Sequence, residues 1–192
     1  MSTDAPDPRS YEFLSSSPVT VFHRTTLLQQ TVTGLSQAGF RIVSLGANNW
    51  HTEQEMHADL ARALDFPAYY GNNFDAFHDC LGDVMAHHYG FPEDATGLVV
   101  VMSGFDQFAA ELPAVAHQLL DIIASRSRLA LADGQQLLCL IQSAAPSFSM
   151  PPVGGTEVLW NPVEAYKPVD SFVTDPSPSP ETPKQPWWRR RP

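Results

Sequence analysis

The period of the apolar positions changes repeatedly along the middle of the chain, and each change marks an element. Residues 19–23 form a short β-branched run and read as a strand. Residues 26–38 set Leu28, Val32 and Leu35 at helical spacing, and Gly39 follows as a helix stop. Residues 40–45 give the next strand. Thr52 with Glu55 makes an S/T-x-x-E capping box, opening a helix whose Met56, Leu60, Ala63 and Leu64 form one apolar stripe ending before Pro67. A further helix is expected over 72–85, and 98–102 (LVVVM) has the continuous apolarity of a buried strand. Pro113 suits the first turn of a helix running to about Ser125 through Val115, Leu119, Leu120 and Ile123. Residues 136–141 close the set as another apolar strand. Strands separated by helices need crossover connections, so the pattern predicts an α/β fold with a small, mainly parallel sheet of three to four strands flanked by helices.

Proline marks the edges of this unit. Of 17 prolines, 11 lie between Pro146 and Pro192. The stretch 174–186 (TDPSPSPETPKQP) has no apolar side chain besides proline and supports no regular backbone ladder, so 173–192 is expected to be a disordered Pro-rich tail with a basic end. Residues 1–17 read as a flexible N-terminus. A domain is expected over 18–143, with a C-terminal extension over 144–172 in which Trp160, Val163 and Tyr166 are candidates to dock while Gly154–Gly155 and scattered prolines oppose a long element. No internal repeat is visible.

Charge sharpens the picture more than overall composition does. Twenty-one acidic side chains against 11 basic ones give a net charge of −10. A polyanionic ligand is disfavoured by that balance, because binding nucleic acid needs a basic surface that releases counterions. A basic partner is favoured instead. Residues 42–125 hold twelve acidic side chains and a single basic one, Arg62, so the excess lies in the expected core. On the 72–85 helix, Asp75, Asp79 and Asp83 share one face while Phe74, Phe77, Leu81, Val84 and Met85 take the other. Such carboxylates four apart repel by a few tenths of a kcal/mol per pair, roughly. Two cysteines, Cys80 and Cys139, make no disulfide scaffold and read as free thiols. With neither a secretory leader pattern nor an apolar run of membrane-spanning length, the expectation is a cytoplasmic protein.

One segment narrows the partner. Residues 67–81 read PAYYGNNFDAFHDCL, a proline followed by an aromatic pair, glycine, asparagine, an apolar residue, Asp-Ala, a second apolar residue and then Asp-Cys-Leu. This pattern resembles the signature of the barstar family, intracellular protein inhibitors of barnase-type ribonucleases. The resemblance extends more weakly over 40–143, which would be the motif core, while the strand and helix of 19–38 resemble an addition found in longer members. It implies that loop and acidic helix enter a ribonuclease active site: Tyr69 and Gly71 in the contacting loop, Asn73, Asp75 and Asp79 on the inhibitory face, with His78 and Asp83 beside them. Asp79 would take the main role, placing a carboxylate in the cationic pocket that otherwise holds a substrate phosphate. No cofactor and no catalytic residue is implied.

The chain departs from the family's pattern at two places. His78 stands where the inhibitor of barnase has tryptophan, and Arg126 and Arg128 lie in the region where that inhibitor carries a glutamate. A regulatory adapter of the same fold, binding a basic protein that is not a nuclease, is the alternative reading. Asp79, Asp83 and His87 would share a face if their helix continued, a weak match to a metal site without a recognisable ligand motif. The sequence offers no matched nucleophile for carboxylate acid–base chemistry, so an enzyme is not expected. The cluster Trp187-Trp188-Arg189-Arg190-Arg191 is the only basic–aromatic one.

Overall fold

The computed structural model describes residues 17–165, so the N-terminal 16 residues and everything from Tyr166 onward, including the Pro-rich tail and its Trp–Arg cluster, lie outside the described residues. The chain alternates strands and helices: β1 (Val19–Phe22), α1 (Thr25–Gln37), β2 (Phe40–Gly46), α2 (Glu53–Ala63), α3 (Phe74–Met85), β3 (Gly97–Ser103), α4 (Phe105–Glu111), α5 (Pro113–Ala132), β4 (Leu137–Gln142), β5 (Leu159–Trp160) and α6 (Pro162–Ala165). The strands form one sheet in the order β2-β3-β4-β1-β5, and every neighbouring pair is parallel. The α/β fold with a parallel sheet is the one the alternation predicts.

Strand alternation divides the core in two. Val43 and Leu45 of β2, Leu98, Val100 and Met102 of β3, and Leu137, Cys139 and Ile141 of β4 face α2, α3, α4 and α5 in the larger cluster. The residues between them, Val99, Val101, Leu138 and Leu140, face the other way and meet Phe22 with Leu28 and Leu35 of α1. Both faces of the sheet are therefore covered, which is why 98–102 is apolar at every position instead of alternating.

Three elements differ from the sequence expectation. The sheet has five strands, not three or four, because Leu159–Trp160 pairs with β1. A two-residue strand between a Gly–Gly pair and Pro162 carries no periodic signal. Helix α5 runs on past Ser125 to Ala132. Arg126, Ser127 and Arg128 interrupt its apolar stripe, but Ser127 Oγ donates to Leu137 O at 2.6 Å and Ala130 is buried, so that turn faces protein. A short helix, α4, precedes it where no element is expected from the pattern, seating Phe105 and Phe108 in the core.

Residues 144–165 return across the core. Phe148 meets Phe105 edge-on, Val153 is buried, and Gly154 N donates to Asp121 Oδ1 at 2.7 Å. Glu164 then accepts from His23 N and Arg24 N at 2.8 and 2.7 Å, closing the sheet edge beside β1. Among the described residues no helix is long and apolar enough to cross a membrane.

Candidate functional site

The segment between α2 and the end of α3 is built from two anchors and an exposed face. The aromatic pair splits: Tyr70 is buried, while Tyr69 is 76% exposed. Tyr70 Oη lies 2.5 Å from Nδ1 of His57, a histidine of α2 with no solvent exposure. Burial holds the His57 pKa below its ordinary value. The ring is thus neutral and accepts the phenol's hydrogen, with Phe74 packed edge-on against it. Burial also raises the Tyr70 phenol, which keeps it a donor. Asn72 then takes a left-handed conformation (φ +47°), a geometry that asparagine tolerates better than most residues.

Asn73 caps α3. Its Oδ1 accepts from Ala76 N at 2.9 Å and its Nδ2 donates to Gly71 O at 3.3 Å, so one amide fixes both the helix start and the turn before it. A side chain at Gly71 would put its Cβ 2.9 Å from that Nδ2. The far end of α3 is tied down by Tyr89, whose hydroxyl lies 3.3 Å from Cys80 O and donates to Asp83 Oδ2 at the same distance. Helix and loop therefore form a fixed platform.

The carboxylates divide by what they hold. Asp59 accepts from Trp50 Nε1 and Arg62, Asp106 from Ala145 N, and Asp121 from Gly154 N. Glu55 closes the α2 capping box with Thr52, as the sequence predicts, and the backbone donor of His51 lowers its pKa. Asp83 is engaged by Tyr89, and His88 Nδ1 lies 3.5 Å from its other oxygen. Asp75 and Asp79 differ: both are exposed, and no described residue donates a hydrogen bond to Asp75. Asp79, 79% exposed, has His78 Nδ1 at 3.3 Å and Arg126 Nη2 at 3.8 Å from Oδ1. Two exposed carboxylates, one turn apart on a rigid helix, suit cations brought by another molecule.

Tyr69, Gly71, Asp75, His78 and Asp79 lie along one exposed loop-and-helix strip, whereas Asn73 and Asp83 are tied to the chain itself. The grouping of Asp79, Asp83 and His87 on one helical face does not occur. Helix α3 ends at Met85, His87 turns into the left-handed region (φ +61°), and its ring stacks on Phe91 with Nε2 2.7 Å from Gln135 Nε2. Two features of the site escape sequence inspection. His57 sits beneath the loop, and Arg126 reaches over from α5 to lie against Gly82 of α3, where an added Cβ would fall 2.8–2.9 Å from three guanidinium atoms. A glycine inside an otherwise regular helix was the available signal.

A family model described as Barstar (barnase inhibitor) matches residues 40–142, more than half of the chain, and the span runs from β2 to the end of β4 with the loop and α3 inside it. No curated protein shows a comparable match. The matched span, the parallel β2-β3-β4 sheet and the capped acidic helix agree with one another, and the chain belongs to the barstar family.

Proposed function

We propose that the protein inhibits a basic, barnase-type ribonuclease by covering its active site with the 67–73 loop and the exposed face of α3. The observation that carries this reading is Asp79, 79% exposed on a helix fixed at both ends, within the span matched to a family of ribonuclease inhibitors. Any ribonuclease must hold a phosphodiester with converging cationic donors. A carboxylate held rigidly at the right height accepts those donors in place of phosphate oxygens, and Asp75 one turn earlier offers a second acceptor. Tyr69 supplies an exposed aromatic surface at the loop, the residue type that most often anchors an interface. Gly71 lets the partner approach the backbone there. His78 contributes its half-exposed ring to the same strip, and Asp83 adds charge at its edge. Inhibition is then competitive, one to one and independent of any cofactor, and it protects the cytoplasm of the cell that makes the enzyme. Nucleic acid and membrane are not ligands in this scheme.

The test is RNA cleavage by barnase-type ribonucleases, barnase first, with the native chain and with Asp79→Ala. Native protein is expected to block cleavage stoichiometrically. Asp79→Ala should lose about 2–5 kcal/mol of affinity, the usual cost of truncating one partner of a buried, hydrogen-bonded charge pair at an interface. Circular dichroism should be unchanged, because Asp79 supports no described packing. Equal inhibition by both proteins would remove Asp79 from the site. Binding without inhibition would replace the inhibitor with an adapter for a basic protein.

A further inference from the structure

Arg126 is placed at some cost to the fold. Its side chain is only 18% exposed, its Nε is buried without a hydrogen-bond partner among the described residues, and its guanidinium occupies the space that a Cβ at position 82 of α3 would fill. Glycine there forgoes helix stability that alanine would supply. Two unfavourable features converging on one side chain ask for a compensating role, and its neighbours show one. Arg126 Nη2 lies 2.9 Å from Nδ1 of His78, while Asp79 Oδ1 lies 3.3 Å from the same nitrogen. The two neighbours make opposite demands. A carboxylate accepts a hydrogen, so Asp79 would draw a proton onto Nδ1. A guanidinium has only hydrogens to offer, so Arg126 needs a lone pair there. The closer contact is the one to Arg126.

We infer that Arg126 is a positioning residue that fixes His78 with its lone pair on Nδ1 and its hydrogen on Nε2, so that the exposed face presents a hydrogen-bond donor beside the carboxylates of Asp75 and Asp79. Resting on the reading of this face as the partner-binding surface, the inference specifies the partner: next to the cations that take the two aspartates it carries an acceptor oxygen, a carboxylate or a backbone carbonyl, opposite His78. The same arrangement leaves Asp79 without a hydrogen bond to its neighbouring histidine, its side chain 79% exposed and Arg126 Nη2 3.8 Å from its Oδ1. An all-cationic patch would meet a donor where it has nothing to accept with, which makes His78 and Arg126 a selectivity element within an otherwise acidic strip.

The tautomer is read directly from nitrogen-15 shifts of labelled histidine in the full chain, at about pH 8 where an ordinary imidazole is neutral. His78 should show the hydrogen on Nε2 in the native protein. Arg126→Gln and Gly82→Ala remove the guanidinium by independent routes, deletion and displacement by a Cβ. In both, the tautomer population should move toward Nδ1–H, since Asp79 becomes the nearest partner. A native Nδ1–H tautomer, or no movement in either variant, overturns the inference. Against barnase, if the native chain inhibits it, both variants should weaken inhibition by about five-fold or more, the loss that follows when a buried acceptor is left unpaired. Unchanged or tighter inhibition would refute the acceptor on the partner. A native chain that inhibits no ribonuclease refutes the proposed function alone, and the tautomer still decides the role of Arg126.

Discussion

Replacing Tyr70 by phenylalanine deletes one oxygen and leaves the shape of the loop anchor intact, so its cost isolates the bond to His57. That oxygen is 2.5 Å from Nδ1 of a histidine with no solvent exposure, and Nε2 of the same ring faces Glu53 Oε1 at 3.4 Å without hydrogen-bond geometry. With the hydroxyl gone, Nδ1 has no other donor among the described residues. A buried acceptor left unpaired costs about 1–3 kcal/mol, against a total of about 5–15 kcal/mol for a typical domain. In urea unfolding, with slopes of about 1–3 kcal/mol per molar, the midpoint should fall by about 0.5–2 M. The His57→Phe background should abolish most of that cost, since no nitrogen remains to be stranded. A loss below about 0.5 kcal/mol, or an equal loss in both backgrounds, would refute the bond as the anchor. The His57 pKa adds a signed pH dependence. Burial lowers it in the fold, so as pH falls through the ordinary histidine value near 6.5 the unfolded chain takes up the proton first. Stability is then full above that pH and declines below it, by at most about 1.4 kcal/mol per pH unit. His51, raised by its bond to Glu111, acts in the opposite direction but is fully exposed and contributes little. His57→Phe should flatten the decline between about pH 6.5 and 5, and a variant with the native slope would show that another group sets it.

Leu35→Ala removes a nearly fully buried side chain from the small cluster under α1 and should cost about 2–4 kcal/mol in thermal or urea unfolding. A cost under about 1 kcal/mol would mean that α1 is a loose addition and not the cover of that sheet face. Association with an inhibited ribonuclease should slow about ten-fold between low and moderate salt in stopped-flow measurements, while dissociation changes little. An association rate insensitive to salt would contradict steering by the acidic strip.

Most of the fold was legible because its signals are local. The capping box at Thr52 and Glu55, the stripe of α2 and the apolar run of β3 each sit within one element, and the structure reproduces them. The misses come from tertiary contacts that leave no period. β5 exists because Asn161 N finds Val21 O at 2.8 Å and the chain is held beside β1, and two residues cannot declare themselves as a strand. Residues 126–128 of α5 look polar in sequence, yet Arg126 and Ser127 face protein through their polar atoms. The site was legible to the level of its motif: the 67–81 pattern located the loop and helix. Helical spacing by itself did not separate Asp79 from Asp83, since both lie on the same face by arithmetic, and only the resemblance gave Asp79 the main role. Only the position of Tyr89, six residues beyond Asp83 and around a turn, engages one of them and leaves the other exposed.

Helix α3 concentrates choices that oppose its own stability, and their distribution argues for binding. Asp75, Asp79 and Asp83 repel along one face, Asp83 sits at the end where the helix dipole disfavours a negative charge, and Gly82 weakens the interior. The inner face shows none of this: Phe77, Leu81 and Val84 are fully buried in the main cluster. A helix selected for stability alone would mix the signs of its surface charges and carry alanine at 82. The fold compensates where compensation does not interfere with a partner, through the Asn73 cap, the Tyr89 contact at Asp83 and the Tyr70 anchor. Asp75 has only the favourable dipole of the first turn, and Asp79 only Arg126 at 3.8 Å and His78 at 3.3 Å, so both carboxylates stay exposed where a docking cation would reach them. Locally unfavourable residues kept to the outer side of a helix that is otherwise held rigid are what a surface shaped for another molecule requires.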